Sequence, residues 1–213
     1  MRDTPNWREI YRYLGYRNGA RPEGEALRLI ERAEAGVREA AEPRCVCRRL
    51  GLSFPAENTL DIGGILIKSA ALRRNLDGCA GVYLFAATLG AGVDRLISGL
   101  TALGRVSEAA AAQAAAAALI EDCCERLRAG AAERGLKLRP RFSPGYGDFS
   151  IEHQRDIARE LDTPRRIGLT VTDSCMLAPM KSVTAVIGIA ETEGSTAEGC
   201  EDCDKQNCGF RRR

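Results

Sequence analysis

Between residues 22 and 42 the apolar positions Leu27, Ile30, Ala33, Val37 and Ala40 recur at intervals of three and four, with Pro22 near one end and Pro43 just past the other. That spacing puts them on one face and predicts an amphipathic helix. Residues 44–54 alternate loosely between apolar and charged side chains and predict a strand, as does the β-branched and aromatic run 81–88. Residues 67–76, between them, read as helical. A helix is expected over 92–103, followed by the strongest element of the chain, an alanine-rich helix over 107–134. Alanine has the best helix propensity, and its small side chain lets neighbouring elements approach closely.

Further on, the pattern predicts a short strand at 136–141, a helix at 151–161, and strands at 165–172 and 182–190. This order favours an α+β fold over a regular βαβ repeat: a single domain with a mixed or antiparallel sheet flanked by helices, among them the long alanine-rich one. The domain is assigned to residues 1–191. From residue 192 the composition shifts to Glu, Gly, Ser, Thr and Cys, so 192–213 is read as a Cys-rich tail with too little apolar surface for a core of its own.

A chain of 213 residues is long enough for one buried core. With 31 Lys+Arg against 29 Asp+Glu the formal net charge is +2, which gives no general electrostatic case for nucleic acid or an anionic membrane as partner. The first residues carry no apolar signal core. The longest apolar run, 109–120, is interrupted by Gln113 and is shorter than the roughly 20 residues a membrane span needs. A cytoplasmic protein is therefore expected.

In a reducing compartment, nine cysteines point to metal or redox chemistry before structural disulfides. Cys200, Cys203 and Cys208 supply three thiolates at spacings that suit zinc or an iron–sulfur cluster. Cys175 is the candidate fourth ligand, with Cys45 and Cys47 as alternatives. A reversible dithiol or an unliganded tail stands beside the metal reading. Cys79, Cys123 and Cys124 read as small buried apolar residues.

The segment 139–150, Arg-Pro-Arg-Phe-Ser-Pro-Gly-Tyr-Gly-Asp-Phe-Ser, packs prolines, glycines, a tyrosine and two arginines between a predicted strand and a predicted helix. Proline presets such a backbone, and glycine lets a ligand approach it. Arg141 there is placed to pair with a carboxylate through two hydrogen bonds. The plain alternative is a Pro-Gly turn joining strand to helix. Weaker signals fall away. Gly90-Ala91-Gly92 lacks the third glycine of a dinucleotide fingerprint, since Arg95 holds that position, and Gly145-x-Gly147 is equally isolated. His153, the only histidine, reads as a surface or capping side chain, and Arg211 to Arg213 as a solvated end.

On these residues the chain resembles the activation domain of cobalamin-dependent methionine synthase, in a short stand-alone form. Arg141, Pro144, Gly145 and Tyr146 match that family's Arg-x-x-Pro-Gly-Tyr signature for S-adenosylmethionine. The run Ser143 to Asp148, Gln154, Met176 to Val183, the Tyr13 to Tyr16 and Thr88 to Gly90 stretches, and the Cys-x2-Cys-x4-Cys tail fit the same group in the same order. The resemblance implies that Arg141 holds the methionine part of the ligand, that Tyr146 lies beside the sulfonium, and that Asp148 meets the nucleoside end through its backbone. Full-length synthases usually have a small residue at the Asp148 position. Glu121 falls where the family has a ligand-binding glutamate, with Glu125 as the register-shifted alternative. The family's further acidic residue nearer the N-terminus has no counterpart that can be placed.

The implied activity is that of a methyltransferase-type module, not of a complete synthase. Its reaction is reductive methylation of cob(II)alamin on a partner, a methionine synthase chain or another corrinoid protein, with electrons from a flavoprotein or ferredoxin. Cobalamin itself comes with the partner, because Ile151 to Asp156 departs from the Asp-x-His-x-x-Gly of corrinoid-binding modules. The other function class that the sequence leaves open is a non-catalytic regulator that senses S-adenosylmethionine or a metal.

Overall fold

A computed structural model describes residues 4–17 and 19–190. The tail cysteines Cys200, Cys203 and Cys208 lie outside the described residues. Two helices come first: the short α1 (Trp7–Tyr13), capped by the Asn6 side chain, and, after a turn, the longer α2 (Gly24–Ala40). Next are β1 (Arg44–Leu50), β2 (Leu52–Ala56), β3 (Thr59–Ile62), β4 (Ile65–Lys68), α3 (Ala70–Asn75) and β5 (Cys79–Thr88). The chain continues through α4 (Ala91–Ala102), α5 (Val106–Ala132), β6 (Lys137–Leu138), α6 (His153–Leu161), α7 (Thr163–Ile167), β7 (Thr170–Val171), β8 (Leu177–Ala178) and β9 (Ser182–Ala190).

The main sheet is antiparallel, in the order β1-β5-β9-β6, so the α+β expectation holds. β5 and β9 are its central strands, and both faces of β5 are covered. Phe85, Ala87 and Leu89 belong to a core shared with α1, α2, α4 and α5, while Val82, Leu84 and Ala86 belong to a second core shared with α3, α6, α7 and the small β2-β3-β4 sheet. Two-sided burial is why 81–88 reads as an almost continuous apolar run. Each large side chain buried there contributes about 1.5–3 kcal/mol. The alanines of α5 let α1 and α2 pack closely along it, which makes it the spine of the first core.

The structure redraws several expected elements. The strand expected over 165–172 is mostly α7: Pro164 sits in its first turn, and Gly168, at φ +71°, caps its end in the left-handed region, leaving only Thr170 and Val171 to pair. The helix expected over 67–76 begins only at Ala70, because Ile67 and Lys68 close the β3–β4 hairpin and Ser69 caps the helix. The strand at 44–54 breaks at Gly51 into β1 and β2, which pair in different sheets. The strand at 136–141 shrinks to Lys137–Leu138 plus a single bridge from Phe142 to Val186.

Candidate functional site

The 139–150 loop leaves the edge of the main sheet. Arg139 donates its amide to the Gly188 carbonyl at 2.8 Å, and Phe142 exchanges amide-to-carbonyl bonds with Val186, each 2.8 Å. Side chains alternate across a strand, so with Phe142 turned to the second core, Arg141 turns to the helix side. There its Nη2 donates to Glu121 Oε1 at 2.5 Å and its Nη1 to Cys124 Sγ at 3.0 Å, both on α5. The pair is enclosed without being sealed: the Arg141 side chain keeps 26% of its exposure and Glu121 13%. Burial alone would lower the guanidinium pKa, but Cys124 and Glu121 raise it above the usual arginine value, so it stays charged. Burial pushes the Cys124 thiol up to about 11, opposed by Arg141, so it is neutral at physiological pH.

Glu125, the register-shifted alternative, is half-buried and lies 3.8 Å from Arg128 on its own helix. Glu121 is therefore the glutamate that the fold brings to Arg141. α1 adds to this corner a residue, Tyr13, that the sequence matched to the family within the Tyr13 to Tyr16 stretch but to which it gave no role. Burial, and after it the charge of Glu121, raise the Tyr13 phenol pKa, and the Arg12 guanidinium lies over its ring at 4.4 Å. The aromatic run at 11–16 was the available signal.

Beyond Phe142 the loop folds on itself. Tyr146 donates its amide to Ser143, Phe149 to Tyr146 and Gly145 to Phe149, at 2.8–3.1 Å. Pro144 is buried, whereas Gly145 is exposed with φ +92°, a backbone conformation glycine adopts freely. Tyr146 is 56% exposed, with its ring edge-on to Phe142 at 6.2 Å. Phe142 meets the fully buried Phe149 at 6.3 Å, and His153 stacks on Phe149 at 5.4 Å. His153 also bonds to Asp156 at 2.8 Å, so it is a half-buried packing side chain at the start of α6 and not the surface or capping one expected.

The Asp148 side chain reaches away from the arginine. It accepts from Ser69 Oγ at 2.5 Å and from the amides of Ala70 and Ala71 at 2.7 and 3.0 Å. The Ser69 hydroxyl first, and the two amides with it, hold its carboxyl below the usual range. Val186 spends its main-chain groups on Phe142, and Thr184, two residues back on the same side of β9, is buried at 2% exposure. A small cavity of about 10 Å3 lies elsewhere, between α1, α2 and α5, lined by Asn6, Glu34, Arg38 and Asp122 among others. It is far too small for a nucleoside.

Among the described residues, no group of three or more His, Cys, Asp or Glu side chains is arranged to hold a metal ion. Cys123 and Cys124 are buried as expected, but Cys79 is only half-buried. Cys175 is buried in the β7–β8 turn with φ +60°, and Cys45 and Cys47 are exposed on the edge strand β1. No helix among the described residues is long and apolar enough to cross a membrane.

The architecture is thus a four-stranded antiparallel sheet between two helical layers, with an arginine–glutamate pair at one sheet edge and a structured Pro-Gly-Tyr loop beside it. No protein-family model matches the chain, and no curated protein matches it in sequence. Among solved structures the fold is similar to the crystal structure of the MetH reactivation domain bound to AdoHcy. The TM-score is 0.65 at 15% identity, covering 90% of this chain and 76% of that one. The chain shares that domain's fold.

Proposed function

We propose that this chain binds S-adenosylmethionine at the Arg141 corner and serves as a reactivation module for a corrinoid protein. The observation that carries the reading is the partly exposed Arg141–Glu121 pair beside the Phe142–Val186 bridge, next to the Pro-Gly-Tyr loop. A guanidinium beside a carboxylate is the complement of an amino-acid zwitterion, whose carboxylate faces the arginine and whose ammonium faces the glutamate. The ligand's amino-acid end then trades one charge contact for two. Exposed Tyr146 offers a ring face to the sulfonium, and the exposed Gly145 to Asp148 backbone offers donors and acceptors to the nucleoside. The structural neighbour's AdoHcy supports a ligand of this class.

The reaction we infer is one-electron reduction of cob(II)alamin on the partner by a flavoprotein or ferredoxin. Transfer of the sulfonium methyl to the reduced cobalt follows, and S-adenosylhomocysteine leaves. No proton moves in the transfer step, so this chain's residues hold and aim the ligand and need not act as acid or base. Calorimetry on the full chain should show S-adenosylhomocysteine binding. Anaerobic mixing with a cob(II)alamin-loaded partner, reductant and S-adenosylmethionine should bring up the methylcobalamin spectrum. Binding without any spectral change, given a competent reductant, would favour a regulator over the reactivation role.

The Cys200, Cys203 and Cys208 thiolates suit zinc or an iron–sulfur cluster by donor chemistry, and we propose that they hold one. Residues 1–191 and 192–213 then act as a domain and its metal-binding tail. For the fourth donor the fold adds Cys79 to Cys175. Cys79 lies directly across the ladder from Ala190, the last described residue before the tail, so closing the site there costs little loop entropy. Metal analysis of anaerobically purified Cys79→Ser and Cys175→Ser chains separates the two. Full occupancy in both would remove each as a ligand.

A further inference from the structure

Asp148 is exposed, yet both of its carboxylate oxygens are engaged: Oδ1 accepts from Ser69 Oγ and the Ala71 amide, and Oδ2 from the Ala70 amide. It therefore has little to offer a ligand directly. Its partners are themselves fixed. Ser69 is 1% exposed, its Oγ also accepts from the Leu72 amide at 3.0 Å, and its own amide donates to the Asn58 carbonyl at 2.8 Å in the β2–β3 turn. The loop is thus tied through one side chain to α3 and the small sheet.

A second, independent contact lies at Gly147. A Cβ built there would sit 2.9 Å from the Ala71 Cβ, closer than real side chains approach, and Gly147 has φ +55°. The loop backbone presses onto α3 where no side chain fits. Together with buried Phe149, this fixes the backbone of Gly145, Tyr146 and Gly147 from below while their upper side stays exposed.

We propose that Asp148 is a positioning residue: by latching the loop to Ser69 and α3 it sets the backbone that faces the ligand before the ligand arrives. The proposal rests on the S-adenosylmethionine reading for its consequence, though not for the latch itself. A loop preset in its bound conformation loses less entropy on binding, so breaking the latch lowers affinity even though no direct ligand contact is removed.

The test uses the full chain as wild type, Asp148→Asn and Ser69→Ala, the last as a milder variant should the first fold poorly. Hydrogen exchange without ligand reads the latch. The Tyr146 and Phe149 amides should exchange about tenfold faster in both variants, and unchanged protection would overturn the proposal. Calorimetry with S-adenosylhomocysteine reads its consequence. Affinity should fall about tenfold in Asp148→Asn, and bound ligand should slow exchange in α3 of the wild type but not of the variant. A purely structural cap would leave that coupling untouched, and equal affinity or equal α3 protection would sink the proposal. If the wild type binds no S-adenosylhomocysteine, the functional reading fails, while the ligand-free exchange still decides the latch.

Discussion

The two ends of the 141–149 loop are held by opposite means. At the first end a charged side chain turns inward and pairs with Glu121 on the long helix, inside a partly enclosed corner. At the far end a charged side chain turns outward and is consumed by backbone amides and a hydroxyl of α3. The difference separates two jobs. An ion pair with some remaining exposure is an exchangeable partner for a zwitterionic ligand, because the ligand gives each member a new opposite charge as the old contact is lost. A carboxylate capping a helix start with three hydrogen bonds is a fixture. On the proposed function, ligand recognition falls to the arginine end and backbone placement to the aspartate end.

The largest effect that can break this division is at Arg141. Arg141→Ala should weaken S-adenosylhomocysteine binding by about 3–4 kcal/mol, a few hundredfold or more. The division makes a sharper demand with a ligand that lacks its carboxylate. Decarboxylated S-adenosylmethionine should bind the wild type poorly and lose little further on Arg141→Ala. If calorimetry shows both ligands weakened equally, the arginine holds the loop and not the ligand, and the two ends do the same job. Glu121→Gln serves as the mirror case, losing about tenfold for ligands that carry the α-ammonium.

The two ends also differ in how much of them was legible in the sequence. Arg141, Pro144, Gly145 and Tyr146 stand in one short run, so their proximity needed no fold to see. Glu121 required a register choice on a uniform alanine helix, where neighbouring turns carry similar carboxylates, and only packing of α5 against the loop separates it from Glu125. The Asp148 latch was not legible, because its partners Ser69 to Ala71 lie far away in sequence and join it only through the tertiary fold. For the fold, long elements with one clear period survived: β9 covers the expected 182–190, and α2, β5 and α5 keep their places. Short segments failed where two elements abut. In 165–172 the alternation of Ile167, Leu169 and Val171 outweighed the helix start at Pro164 and the stop at Gly168, and α1, β3, β4 and β8 are too short for their periodicity to register.

The smaller effect belongs to Tyr146, which lies between the two ends and is fixed by neither charge. Its exposed ring touches Phe142 edge-on, so removing it costs little packing. If the ring faces the sulfonium, Tyr146→Leu should weaken S-adenosylmethionine by about 0.5–2 kcal/mol, roughly two- to thirtyfold. S-adenosylhomocysteine has no positive sulfur and should lose less. Competition calorimetry with both ligands on both proteins gives the ratio directly. A ratio that changes on substitution ties the ring to the cation. Equal losses for the two ligands would mean that Tyr146 contributes contact area alone, and the middle of the loop would then belong with its placing end.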